Sequence, residues 1–264
     1  MPDPSATTHA APRVYFIGAG PGDPDLLTVK AARIIGTADL VLYAGSLVSP
    51  GIVALARADA RVVDSAPLAL DETHALLAET VRAGGTAARV HTGDPALYGA
   101  IAEQAALLAA EGIACAVIPG VTSASAAAAA FGVSFTVPEA TQTLILTRLA
   151  GRTPMPPGES LDDLARHQAA MAVYLSAGDP EGVCDALARG GYPPDTPVAI
   201  AHRLGWPGEI LLWATVATLA GVTRQAGLTR QTIFLVLPGL GRAGQSRLYA
   251  PSFGHGFRPA RDET

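Results

Sequence analysis

Cysteine is scarce in this chain: there are two in 264 residues, Cys115 and Cys184, far apart and in no ligand-like spacing. That argues against a disulfide framework or a cysteine metal site, and both thiols read as small apolar core residues. Lysine is scarcer still, with Lys30 the one example among 18 basic residues. Any anion held here is therefore held by arginine, through its planar bidentate fork. Charged residues make up 16% of the chain and the formal charge is −5. This balance excludes a general nucleic-acid binder, which needs clustered cations against phosphates. No apolar run reaches the roughly 18 residues of a membrane span, and the N-terminus has no basic-then-apolar leader. The chain reads as soluble and cytoplasmic, with neither a membrane nor a nucleic acid among its partners. Aromatics are 5%, while hydrophobic residues are 49% and much of that is alanine, which suits close-packed helices in a globular protein.

The pattern along the chain is α/β. Residues 1–12 are small, polar and proline-containing, a loose tail. Strand-like runs at Val14 to Ile17, Asp39 to Tyr43, Arg61 to Val63, Thr86 to Val90 and Ile113 to Ile118 alternate with helical stretches. Those stretches are Leu26 to Thr37, one opening at Ser49-Pro50 with serine as the cap, Asp71 to Arg82 capped by Asp71, Ala100 to Ala110, and one ending at Phe131. Strict alternation predicts a mostly parallel, doubly wound sheet. After Val137-Pro138 the character changes. Strands at Thr141 to Thr147, Ala172 to Leu175, Val198 to His202, Glu209 to Ala214 and Gln231 to Leu237 make a second, mixed sheet, with helices near Leu161 to Gln168 and Glu181 to Arg189. The expected domains are 13–138 and 139–241, both α/β, with a C-terminal tail over 242–264.

Two loops carry the chemistry. Gly18-Ala-Gly-Pro-Gly-Asp23 follows the first strand, but its glycines do not have the G-x-G-x-x-G spacing of a dinucleotide fold, and Pro21 removes an N–H donor. Val90-His-Thr-Gly-Asp-Pro-Ala-Leu-Tyr-Gly99 sits at the carboxyl end of the fourth strand, where open α/β sheets bind ligands. There Gly93 permits close approach of a ligand to the backbone, and Asp94 can accept hydrogen bonds from it.

Five segments together resemble one family. Tyr15 to Pro24, His91 to Gly99 and Pro119 to Ala124 are similar to the tetrapyrrole methylases. Leu42 to Val48, and Thr143 to Thr153 followed by Pro154-Met-Pro156, resemble its precorrin-4 C11-methyltransferase branch. The resemblance covers residues 13 to 240. It implies two α/β domains with S-adenosylmethionine bound in a cleft between them, a tetrapyrrole acceptor, and a homodimer. By the same resemblance the donor site takes Pro21, Thr92, Gly93, Asp94, Leu97, Thr122, Ser123, Leu175, Leu204 and Thr232. The acceptor side takes Gly20, Tyr43, Ala44, Gly45, Ser46, Arg148, Arg152 and Arg203. Two departures from the uroporphyrinogen-III methyltransferases stand out: Tyr43-Ala44 has no acid after the tyrosine, and Asp64-Ser65 stands where they have a lysine. Pro157 replaces the glutamate usual after Pro-Met-Pro, a place that Glu159 can fill.

Methyl transfer from a sulfonium needs alignment of the two reacting centres more than covalent help. No nucleophilic triad is apparent, no metal is expected, and no catalytic base is assigned; His91 and His202 read as structural. Alternatives in the same class act at another ring carbon or on a cobalt-bearing acceptor, with the metal-free one preferred. A nicotinamide-dependent oxidoreductase would need an acid at the end of the second strand, which Tyr43-Ala44-Gly45 lacks. A non-catalytic tetrapyrrole binder would not need the donor turn.

Overall fold

The computed structural model describes residues 13–242, together with residues 11, 246, 248 and 250–261. The loose tail expected over 1–12 lies outside the described residues, apart from residue 11. The chain divides into two compact units. The first runs through Ala126 and also takes in Arg203–Glu209; the second holds Ala127–His202 and resumes at Ile210. The division thus falls inside a helix rather than at Val137-Pro138, and one loop from the later half belongs to the first unit.

The first unit has five parallel strands: β1 (Val14–Gly18), β2 (Leu40–Tyr43), β3 (Arg61–Asp64), β4 (Ala87–His91) and β5 (Cys115–Ile118). Their order in the sheet is β3-β2-β4-β1-β5. Helices α1 (Val29–Ile35) and α2 (Pro50–Val53) cover one face, packing Ala31, Ile35 and Ile52 on Ile17, Val41 and Val90. Helices α3 (Leu70–Arg82) and α4 (Ile101–Ala110) cover the other, packing Leu77 and Leu108 on Val14, Phe16, Leu40 and Leu42. Strands β1 and β4 are neighbours. The chain leaves β1 for α1 on one face and β4 for α4 on the other, so the loops after these two strands diverge. That is the topological switch point where open α/β sheets take ligands. Helix α5 (Ser123–Phe131) follows β5.

Three helix starts differ from expectation. The stretch from Leu26 breaks into a 3-10 turn, Pro24–Leu26, capped by the Asp23 carboxylate, and α1, capped by the Thr28 hydroxyl. Two capping side chains so close together end one helix and begin another. Ser49 precedes α2 without a side-chain capping bond. At α3 the N-cap is Ala69, whose N–H donates to the Glu72 carboxylate at 2.8 Å, and Asp71 lies in the first turn.

The second unit is a mixed sheet of β6 (Leu144–Arg148), β7 (Ala170–Tyr174), β8 (Pro197–His202), β9 (Ile210–Thr215) and β10 (Thr232–Val236), ordered β6-β7-β10-β8-β9. Only β6 and β7 run parallel. Helices α6 (Leu161–Ala165), α7 (Pro180–Arg189) and α8 (Leu219–Gln225) pack on one face against Met171, Val173, Val198, Ile200 and Phe234. Helix α8 was not expected. Gly221 and two β-branched residues weaken its propensity, and the burial of Leu219 and Thr223, one turn apart, holds it. Part of the expected C-terminal tail is ordered: Arg258 Nη2 donates to the carbonyls of Leu248, Ala250 and Phe253 at 2.7, 2.9 and 3.1 Å. No helix among the described residues is long and apolar enough to cross a membrane.

Candidate active site

At the switch point the backbone itself is the building material. Gly20 and Gly93 exchange hydrogen bonds, Gly20 N–H to Gly93 O at 3.1 Å and Gly93 N–H to Gly20 O at 2.7 Å. A Cβ on Gly120 would stand 2.2 Å from Gly93 O, and one on Gly18 2.5 Å from Gly120 N. The loops after β1, β4 and β5 therefore touch backbone to backbone, which only glycine permits. Gly93 differs from these two. Its φ is +62°, and a Cβ there would meet nothing nearer than Thr122 Cα at 4.0 Å. Space is open on that side of the turn, with Thr122, just before α5, as its nearest neighbour.

Asp94 also has partners within the protein. Its Oδ1 accepts from Ala96 N–H at 2.8 Å and its Oδ2 from Gly120 N–H at 3.0 Å. One carboxylate oxygen thus closes the turn on itself, the other ties it to the loop after β5, and each keeps a lone pair that can accept from a ligand. Pro21 is buried and its carbonyl accepts from Trp206 Nε1 at 3.0 Å. Leu204 is buried in the same unit, at 6% exposure.

Below the turn, His91 ends β4 with its ring 5.9 Å from Phe16. Burial, with the nearby Arg89 charge, pulls its pKa down to about 4, and its Nε2 is buried without a hydrogen-bond partner. A ring kept neutral in this way is structural and bears no charge at neutral pH.

The loop Tyr43 to Ser46 is held from β3 and β4. Tyr43 O accepts from Ser65 N–H at 2.8 Å and from the Ser65 hydroxyl at 3.0 Å. Arg89 Nη1 donates to that hydroxyl at 2.7 Å, and Gly45 N–H donates to Asp64 Oδ1 at 2.8 Å. The Asp64-Ser65 pair, a departure in sequence, is thus the brace of this loop. Tyr43 and Gly45, with Val48, Pro50, Val53 and Ala54, line a cavity of about 340 Å³.

In the second unit, one end of the sheet gathers Arg148, Leu175, His202 and Thr232. Pairing sets Arg148 beside Tyr174 and Thr232 opposite His202. Leu175 follows β7 with φ +55° and is 73% exposed. A left-handed, solvent-facing leucine costs free energy twice, in backbone strain and in exposed apolar area. Thr232 is 8% exposed, and its hydroxyl donates to Arg230 O at 2.9 Å and meets His202 Nδ1 at 3.0 Å. Arg148 donates to Thr153 O at 3.1 Å and Pro154 O at 3.0 Å, so it secures the loop that begins at Leu149. Arg152 in that loop is exposed and makes no hydrogen bond or ion pair among the described residues. Glu159 is exposed nearby in the chain.

Among the described residues no group of three or more His, Cys, Asp or Glu is placed to hold a metal. Cys115 and Cys184 are free and half-buried, with burial raising both thiols. Sequence reasoning passed over Trp206, Asp64, Ser65 and Arg89 as site builders. The rarity of tryptophan, two in the chain, was the one available signal for the first.

The family model described as Tetrapyrrole (Corrin/Porphyrin) Methylases matches residues 13–220. A cobalt-precorrin-4 C(11)-methyltransferase of Priestia megaterium is 43% identical over 251 residues, spanning 93% of this chain and 97% of that protein. A precorrin-4 C(11)-methyltransferase of Pseudomonas aeruginosa is 44% identical over 248 residues, spanning 93% of this chain and 98% of that one. The X-ray structure of a cobalamin biosynthetic enzyme, cobalt precorrin-4 methyltransferase, superposes with a TM-score of 0.83 at 44% identity, covering 84% of this chain and 93% of its own.

Proposed function

The chain belongs to the tetrapyrrole (corrin/porphyrin) methylases, and we propose that within them it methylates C11 of precorrin-4, giving precorrin-5 in cobalamin biosynthesis. It is an S-adenosylmethionine-dependent C-methyltransferase. The observation that carries the reaction is the likeness at 43% and 44% identity, over 93% of the chain, to relatives named for that step. Those relatives include cobalt-bearing and cobalt-free acceptor names at equal similarity; our reading takes the metal-free acceptor.

The residues fit the donor. The open side of Gly93, the small side chains of Thr122 and Ser123, and the buried Pro21 carbonyl loop offer backbone groups and modest bulk, as an adenosine requires. When bound, S-adenosylmethionine supplies a sulfonium-activated methyl group. The chain's task is then to hold the donor at Gly93, Thr92, Leu97 and Leu204. Asp94 keeps the turn in shape by clamping Gly120 N–H. No side chain needs to form a covalent bond, and alignment of the two reacting centres supplies the rate.

For the acceptor, Tyr43, Ala44, Gly45, Ser46 and Gly20 line the ring, and Arg152 and Arg203 hold its carboxylates. Arg148 supports Arg152 by fixing the loop in which it sits. Arg152 is the cleaner test, because its guanidinium has no structural duty. An arginine–carboxylate pair shielded from water is worth about 1.5–3 kcal/mol, so Arg152→Ala is expected to raise the acceptor KM roughly tenfold to a hundredfold. S-adenosylhomocysteine affinity should stay at the wild-type value, and Arg152→Lys should recover part of the loss. Wild-type kinetics for Arg152→Ala would return this residue to the solvated surface.

The finer setting is also proposed. Two copies associate through apolar surface such as Leu211 and Trp213, exposed at 36% and 48% on the edge strand β9. Light scattering that gives the mass of one chain at micromolar concentration would remove that statement. A cytoplasmic location suits a pathway whose cofactor and acceptor are small and soluble.

A further inference from the structure

A tryptophan fastens the loop Arg203–Glu209 to the Pro21 loop of the first unit. Trp206 Nε1 donates to Pro21 O at 3.0 Å, and Trp206 N–H donates to Arg203 O at 2.9 Å. The indole lies so close over Gly22 that a Cβ there would stand 2.2 Å from its Cδ1. Gly205, with φ +71°, faces Asp23 just as closely, a Cβ falling 2.4 Å from Asp23 N, and its own N–H donates to Glu209 Oε2 at 2.7 Å. Tryptophan, glycine turn and proline loop form one rigid block.

On that block sits Arg203. Its guanidinium carbon is 5.7 Å from the centre of the Trp206 ring, and its φ of +52° is one that a non-glycine residue seldom adopts. Its Nε is buried without a hydrogen-bond partner, and it enters no ion pair among the described residues. Arg57, Arg61, Arg82, Arg166, Arg189 and Arg224 meet carboxylates, and Arg89, Arg148 and Arg258 donate to hydroxyl or carbonyl oxygens. Arg203 lies over the indole, half-buried and with a left-handed backbone, yet has no acid partner among the described residues. A cation held in this state has already lost much of its hydration and its rotamer freedom, so an incoming carboxylate meets it at low ordering cost.

We infer that Trp206 is a positioning residue, whose ring face presents the Arg203 guanidinium to a carboxylate of the tetrapyrrole acceptor and whose N–H fixes that platform to the Pro21 loop. The inference rests on the acceptor reading above and adds a residue that does not itself touch the reacting carbon. A stacked guanidinium over tryptophan is stronger than over phenylalanine and absent over an aliphatic chain.

The test uses the full chain with precorrin-4 and S-adenosylmethionine. Trp206→Met, which fills the space with a flexible apolar chain, is expected to raise the acceptor KM about threefold to thirtyfold, with kcat within about twofold. Arg203→Ala should raise it at least as much. The double variant should raise the acceptor KM no more than Arg203→Ala alone, because toward the acceptor the ring acts through the arginine. A packing role would add its loss to that of Arg203→Ala and would weaken S-adenosylhomocysteine as well. Losses that add, or a Trp206→Met variant with wild-type acceptor KM, overturn the platform while Arg203 keeps its place. An Arg203→Ala variant with wild-type acceptor KM overturns both the platform and the assignment beneath it. Should Trp206→Met not fold, Trp206→Phe decides: the weaker ring predicts an acceptor KM above wild type at unchanged S-adenosylhomocysteine affinity, and an unchanged KM contradicts the inference.

Discussion

Gly93→Val should lose S-adenosylhomocysteine by at least about a hundredfold while the protein stays folded. The space its side chain would enter is open in the protein, with only Thr122 Cα at 4.0 Å, so the substitution collides with a ligand rather than with the fold. The cost to the fold is the left-handed backbone, φ +62°, about 3 kcal/mol for a β-branched valine. Gly120→Ala is the contrasting case. Its Cβ would stand 2.2 Å from Gly93 O and 2.8 Å from Gly18 Cα, and backbone on both sides cannot swing aside. Here the fold should suffer first, by about 3 kcal/mol or more, and binding should fall with it. Calorimetric titration beside thermal unfolding separates the two. If Gly93→Val binds normally, the donor does not lie at this turn.

A second large effect concerns acid. His91 has a pKa of about 4 in the folded protein against 6.5 as an ordinary side chain, because burial disfavours the charged ring and Arg89 repels it. Above pH 6.5 the ring is neutral in both states and contributes nothing to the pH dependence. Between pH 6.5 and 4 the unfolded chain takes up a proton that the folded chain refuses, so stability falls as pH falls through this window. Between pH 7.5 and pH 5 the loss is about 2 kcal/mol, and it approaches about 3 kcal/mol by pH 4. Asp39, Glu111, Asp162 and Glu181, each lowered by hydrogen bonds or ion pairs, add losses of the same sign at lower pH. Urea unfolding of wild type and His91→Gln at both pH values isolates the histidine. The variant should be less pH-sensitive by about 2 kcal/mol, and parallel pH profiles would show that His91 titrates normally.

What could be read from the sequence follows from how local each signal is. The strands and most helices are local: a short apolar run rich in β-branched and aromatic residues names β1 or β10 without reference to anything distant. The Gly93 turn is also local, since a Gly-Asp-Pro after a strand marks a turn, and one follows β4 here. Helix α8 failed the same test because its stability comes from what Leu219 and Thr223 pack on, not from its own residues. Asp94 was visible as an acid but not as a clamp, because its partner Gly120 is 26 residues away. The block around Trp206 was out of reach for the same reason on a larger scale, its bond to Pro21 spanning 185 residues. Arg148 and Arg152 look equivalent in sequence, and only the carbonyls of Thr153 and Pro154 show that one supports the loop while the other is free for a ligand. Asp64 and Ser65 were noticed as departures from relatives, yet their meaning came from Gly45 and Tyr43, the loop they brace.

The most direct measurement is product analysis of the reaction itself. The full chain is incubated with metal-free precorrin-4 and S-adenosylmethionine carrying a 13C-labelled methyl group, and the labelled carbon is located by NMR, with cobalt-precorrin-4 run in parallel. The account predicts one new methyl, attached at C11, formed from the metal-free acceptor. A labelled methyl at any other ring carbon, or none from either acceptor while S-adenosylhomocysteine still binds, would contradict it.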